Sequence, residues 1–172
     1  MKVAGVVLAG GASSRMGREK ALLVRGNETL CHRAGRVLAG AGVDRVFVSG
    51  PRGIPDLIPG KGPLGGIHGA LWALGEFYDG VLFVPCDLPL AEPEMLLPLL
   101  RISRPAPLVA HPGVMEPLCA LVPPGFREKA GNAIAKGHLA VGRLWRDCDA
   151  VMIRMRPHQG FSDWDTPMDL EA

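Results

Sequence analysis

The sequence predicts a three-layer α/β/α domain built on a mainly parallel sheet. Short, nearly all-apolar runs alternate with segments of helical period along the whole chain, and that alternation is the pattern of a layered α/β domain. The apolar runs lack the in-out alternation of a half-solvated strand, so they suit strands covered on both faces. At 172 residues, 48% hydrophobic and 21% charged, the chain has the size and composition of a single soluble domain spanning residues 1–172.

The first strand is expected at Val3–Leu8, an apolar run that ends at glycines. Arg45–Ser49 and Val81–Val84 read the same way, and Leu108–Ala110, Leu118–Val122 and Val151–Ile153 are later strands. Leu30, Ala34, Val37, Leu38 and Ala41 recur at spacings of three and four, and Gly42 stands where a helix would end. Ile67, Ala70, Leu71 and Leu74 form a second helical stripe. Glu92-Pro93-Glu94 has proline and acids suited to a first helical turn. Phe126, Ala130 and Ile134 predict a fourth helix, and Val141, Leu144 and Trp145 a short fifth. Thr166-Pro167 reads as an N-cap and first helical residue near the C-terminus.

Composition narrows the function classes. A formal net charge of +2 is too small to indicate nucleic acid or anionic lipid as partner. No apolar stretch reaches the roughly 18 residues of a membrane span, and Met1–Val6 enters a strand-like run at once, without the pattern of a signal peptide. The four cysteines, Cys31, Cys86, Cys119 and Cys148, form no C-x-x-C pair and no zinc spacing. Together these predict a cytoplasmic location and buried, inert thiols.

Ligands in such sheets sit beyond the carboxyl ends of the strands, which selects the residues after Leu8, Val48 and Val84. After Leu8 comes Ala9-Gly10-Gly11-Ala12-Ser13-Ser14-Arg15-Met16-Gly17-Arg18-Glu19-Lys20. Gly10 and Gly11 let backbone approach a ligand, and successive N–H groups make an anion-binding concavity. Ser13 adds a hydroxyl, and Arg15 and Lys20 bring two cations suited to a polyphosphate. The Walker A pattern is absent. A literal G-x-G-x-x-G occurs at Gly60–Gly65, but no strand pattern precedes it and Pro63 interrupts it, so it is not read as a dinucleotide fingerprint.

The run Leu8-Ala9-Gly10-Gly11-x-Ser13-x-Arg15-Met16-Gly17-x-x-Lys20-Ala21-Leu22 resembles the signature of the nucleotidyltransferases. Its Ala-Gly-Gly form is most similar to the molybdenum cofactor guanylyltransferases. The resemblance implies a Rossmann-like nucleotidyltransferase domain whose N-terminal half binds nucleotide and whose C-terminal half faces the acceptor. It implies GTP and molybdopterin as substrates, with other molybdenum cofactor proteins as candidate partners. Asp56 followed by Gly62-Pro63-Leu64-x-Gly66 and its neighbour Gly65 resembles the guanine-reading segment, and Ser49 falls where the family often has an asparagine touching the nucleotide. Cys86-Asp87-x-Pro89 is similar to the family's metal motif, which makes Asp87 the expected Mg²⁺ ligand. That assignment agrees with the chemistry of Mg²⁺, which takes one or two carboxylates plus phosphates and waters.

Phe161-Ser162-Asp163-Trp164-Asp165-Thr166-Pro167 departs from the guanylyltransferase pattern, which carries asparagines before Thr-Pro. The aspartate form resembles molybdopterin cytidylyltransferases and offers Asp163 and Asp165 as further candidate metal carboxylates. The alternatives are therefore a cytidylyltransferase, a sugar-phosphate or cobinamide-phosphate nucleotidyltransferase, and, more distantly, a non-catalytic nucleotide sensor. His68 and His111 read as helix-face and loop histidines.

Overall fold

The computed structural model describes residues 1–9, 23–25, 27–88, 90–102 and 105–155. Its centre is a six-stranded sheet in the order β4-β1-β5-β7-β6-β8. The strands are β1 (Val3–Leu8), β4 (Arg45–Ser49), β5 (Gly80–Pro85), β6 (Leu108–His111), β7 (Glu116–Val122) and β8 (Val151–Arg154). A separate hairpin, β2 (Val24–Arg25) with β3 (Glu28–Thr29), precedes the first helix. The helices are α1 (Leu30–Gly40), α2 (Pro63–Leu74), α3 (Leu97–Leu100), α4 (Arg127–Ala135) and α5 (Val141–Asp147).

β1 pairs in parallel with β4 and β5, and β6 with β8. β7 runs antiparallel between β5 and β6, so the sheet is mainly parallel with one reversed strand. Every residue of β1 and β5 is buried. The alternation sends Val7, Leu82 and Val84 into the core under α1, and Val6, Val81 and Phe83 into the core under α2, α4 and α5. Those two cores are why both strands could be apolar at every position.

α1 begins where the Thr29 hydroxyl accepts from the His32 backbone N–H at 3.1 Å, and it buries Leu30, Ala34, Val37 and Leu38. After the C-cap Ala41, Gly42 takes φ +90°, the left-handed turn expected of it. α2 differs in kind. Nine of its twelve residues are buried, as befits a helix apolar on most sides. The segment at Glu92 corrects an expectation: Pro93–Met95 forms a single 3₁₀ turn and α3 adds only four residues. Pro98 lies inside that second element, so neither piece grows long. The thiols are also less uniform than expected, since Cys86 and Cys119 are buried but Cys31 and Cys148 only partly so. The helix start at Thr166-Pro167 lies outside the described residues.

Trp145 pins the C-terminal part of the domain. It is fully buried, and its indole N–H donates to the Pro117 carbonyl of β7 at 2.7 Å. Trp145→Ala removes that bond and opens a large cavity, so a loss of about 3–5 kcal/mol in unfolding free energy is expected. Urea denaturation measures it.

Candidate active site

Three loops leave the sheet from one row of residues. Leu8 is paired with Ser49 on one side and Pro85 on the other, and Ser49 makes an isolated parallel bridge to Ile54. Ile54, Ser49, Leu8 and Pro85 therefore stand side by side at the carboxyl edge. The Cys86 N–H donates to the Leu8 carbonyl at 3.3 Å, which extends the row by one bond. Asp56 lies two residues beyond Ile54, Ala9 one beyond Leu8, and Asp87 two beyond Pro85. Three inter-strand spacings, roughly 14 Å, separate the roots of the two acidic loops.

Asp56 is half-buried. Its segment is pressed onto the first turns of α2, where glycines allow it. A Cβ on Gly65 would stand 2.7 Å from the Asp56 Oδ2, and one on Gly69 would stand 2.6 Å from the Pro55 carbonyl oxygen. Burial pushes the Asp56 carboxyl above its ordinary pKa. Leu64 is fully buried beneath this contact, and Gly62 caps α2 with φ +60°. Ser49 is 2% exposed, and its Oγ has no hydrogen-bond partner among the described residues. A Cβ on Gly66 would come within 3.0 Å of that oxygen, so the hydroxyl also abuts the start of α2.

Asp87 is half-buried just past β5. Among the described residues no group of three or more His, Cys, Asp or Glu side chains could hold a metal by itself. A single carboxylate at the strand end fits a hard cation that arrives with nucleotide phosphates, because Mg²⁺ keeps most of its ligands from phosphate and water. Gly10, Gly11, Ser13, Arg15 and Lys20, and also Asp163 and Asp165, lie outside the described residues. The structure thus brings Leu8, Ala9, Ser49, Asp56, Gly62, Leu64, Gly65 and Asp87 to one edge. A cavity of about 700 Å³ lies elsewhere, between α1 and β4. Gly35, Ala39, Val46 and Val48 line it, and it reaches this edge at Ala9 and Ser49 and at Pro51 and Arg52 on the segment leading to Asp56. Neither Asp56 nor Asp87 lines it, nor does any other carboxylate among the described residues.

Residues 5–150 match the family model described as the MobA-like NTP transferase domain. The chain belongs to that family. Among relatives of this MobA-like chain, a "Molybdenum cofactor guanylyltransferase" of Xanthomonas euvesicatoria is 35% identical, over 95% of this chain and 89% of the relative. A "Probable molybdenum cofactor guanylyltransferase" of Pelotomaculum thermopropionicum is 42% identical over 55% of this chain and half the relative's length. The crystal structure of molybdopterin-guanine dinucleotide biosynthesis protein A from Archaeoglobus fulgidus superposes with a TM-score of 0.78 at 22% identity, covering 99% of this chain and 95% of that one. That likeness establishes the Rossmann-like nucleotidyltransferase fold.

One feature of the site had no sequence signal of its own. The contact of Gly65 and Gly69 with Pro55–Asp56 is tertiary, and a glycine in a helix pattern does not say what lies against it. Gly65→Ala tests its role. In an open helix the change stabilises by about 1 kcal/mol, but here the new methyl must displace the Asp56 carboxylate. The melting temperature should hold while the KM for nucleotide rises roughly tenfold, the scale of losing a charged hydrogen bond. An unchanged KM would mean that Asp56 does not touch the nucleotide.

Proposed function

We propose that this MobA-like transferase moves GMP from GTP to the phosphate of molybdenum-loaded molybdopterin, releasing pyrophosphate, in the cytoplasm and as a single domain. The observation that carries the reading is the single row Ile54–Ser49–Leu8–Pro85, just beyond which come Asp56, the glycine-rich run after Leu8 and Asp87; that spacing supports a base reader, a phosphate loop and a metal ligand at one edge. The names of the relatives supply the guanine and the pterin.

In this reading the ionised Asp56 accepts from the ring N–H and amino group of guanine. Those donors favour the charged carboxylate and offset the burial that raises its pKa. The Ser49 hydroxyl, which has no hydrogen-bond partner among the described residues, bonds to the nucleotide, and Leu8, Ala9, Gly62, Leu64 and Gly65 shape the slot. Gly10, Gly11 and Ser13 wrap the phosphates with backbone and hydroxyl donors, and Lys20 and Arg15 neutralise them. Asp87 would hold Mg²⁺, with Asp163 and Asp165 as further carboxylates, and the ion would supply charge stabilisation at the α-phosphate.

An oxygen of the acceptor phosphate attacks the α-phosphorus in line. The bond from that phosphorus to the oxygen bridging the β-phosphate breaks, and the electron pair leaves with pyrophosphate. No protein nucleophile is needed, so the chain contributes position and charge. The half of the domain carrying β6, β7 and β8 takes the acceptor.

Thermal-shift measurements with GTP, CTP and ATP, each with Mg²⁺, test the choice of base. GTP is expected to stabilise the most. The Asp163-x-Asp165-Thr166-Pro167 sequence supports a second reading, cytidylylation of the same acceptor, and stabilisation by CTP alone would establish it instead.

A further inference from the structure

α2 is held from two sides. One side seats Gly65 and Gly69 on the Pro55–Asp56 segment. Towards α4, His68 fills the contact: a Cβ on Gly131 would stand 3.0 Å from its Nε2. His68 is 7% exposed, one of two buried polar residues in the described core. Its Nε2 lies 3.0 Å from the Trp72 indole nitrogen. The indole N–H can only donate, so Nε2 must be the acceptor and the imidazole proton sits on Nδ1. That Nδ1 is buried with no partner among the described residues.

We propose that His68 is a positioning residue of the nucleotide site that works only as the neutral imidazole: its acceptor nitrogen holds the Trp72 indole, one turn further along α2, against the Arg127 guanidinium of α4, so that the α2–α4 contact keeps Gly65 seated on Asp56. A second proton would go to Nε2. It would set two N–H groups against each other at 3.0 Å, and the bond would be lost. The Trp72 ring would lose its hold against Arg127 and a charged imidazole would face Gly131, so α2 would loosen on α4 and Gly65 would no longer be held on Asp56.

The surroundings agree with a neutral ring. α2 carries no other titratable group. On α4 the charged groups are Arg127, Glu128 and Lys129, and the Arg127 guanidinium lies 4.3 Å from the Trp72 ring centre. β1 and β5 contribute no charge. β4 contributes only Arg45, which sits over Phe47, and Asp56 is the acid of the preceding segment. Burial holds the His68 pKa below the ordinary histidine value. The sign follows: the folded form resists the proton that the unfolded chain takes up, so protonation works against the packed α2 as pH falls below about 6.5.

The inference rests on GTP being the nucleotide, and its test separates the two. The Trp72 indole N–H resonance, assigned with Trp72→Phe, is followed in the intact protein from pH 7.5 to 5, together with the KM for GTP. In the wild type the resonance should move with a midpoint below the usual histidine value. Over the same range the KM should rise about fivefold, the equivalent of one neutral hydrogen bond. His68→Leu, with no acceptor, should show the raised KM at every pH with kcat little changed. His68→Gln keeps an acceptor that does not titrate, so it should rescue the KM and remove the His68 part of the profile. Asp56 titrates in both proteins, and the difference between the two profiles is the quantity read. A resonance that does not move, or identical KM profiles in wild type and His68→Gln, overturns the inference. Absence of turnover with GTP counts against the substrate reading, while the resonance still decides the state of His68.

Discussion

Asp87→Asn is expected to lower kcat for nucleotidyl transfer at least ~100-fold, the scale of losing one preorganised charge-stabilising contact. Asparagine keeps the shape and removes the charge, so the test addresses the carboxylate and not the packing of the loop. Asp87 stands two residues beyond Pro85, beside the root of the phosphate loop at Leu8. In the proposed mechanism a cation held there would meet the phosphates bound by the residues after Leu8. Steady-state pyrophosphate release against Mg²⁺ concentration measures the effect. The variant should also need more Mg²⁺ for half-maximal rate, because the ion loses its protein ligand while keeping the phosphates. A variant with wild-type kcat and the wild-type Mg²⁺ requirement would remove Asp87 from the chemistry.

Lys20→Ala should cost at least ~100-fold as well. Negative charge accumulates on the α- and β-phosphates as the bond to pyrophosphate breaks. In the proposed mechanism the Lys20 ammonium, ten residues after Gly10 in the sequence, offsets that charge. Lys20→Arg separates charge from shape: it keeps the cation but replaces a compact point charge with a planar fork. Partial recovery in Lys20→Arg would assign the effect to charge. Wild-type turnover in Lys20→Ala would remove Lys20 from the proposed stabilisation of the phosphates.

The parts of the fold that were legible are those where burial leaves a local trace. β1 and β5 are apolar at nearly every position because both faces are covered, and the stripe on α1 repeats because only one face is. The reversal of β7 left no such trace. A buried strand reads alike in either direction, and its orientation is decided by the path of the connection. The β2–β3 hairpin, with two residues per strand, is too short to show any period. Glu92-Pro93-Glu94 carried the chemistry of a helix start, but Pro98 is incompatible with a long continuation.

The site divides in the same way. The glycine-rich run after Leu8 and Asp87 stood out by local chemistry and resemblance, since glycines, cations and a lone acid after apolar strands are a recognisable combination, and the structure puts Asp87 beyond β5, as expected. The placement of Asp56 against Gly65 needed the fold. So did the burial of Ser49 with no partner among the described residues and the seating of His68 against Gly131, because each depends on what lies across a tertiary contact.

The central claim is acceptor-dependent guanylyl transfer. Pyrophosphate release by the purified protein, with molybdenum-loaded molybdopterin and either GTP, CTP or ATP in the presence of Mg²⁺, tests it most directly. The account predicts release that requires the acceptor and is fastest with GTP. Acceptor-dependent release with CTP and none with GTP would contradict it.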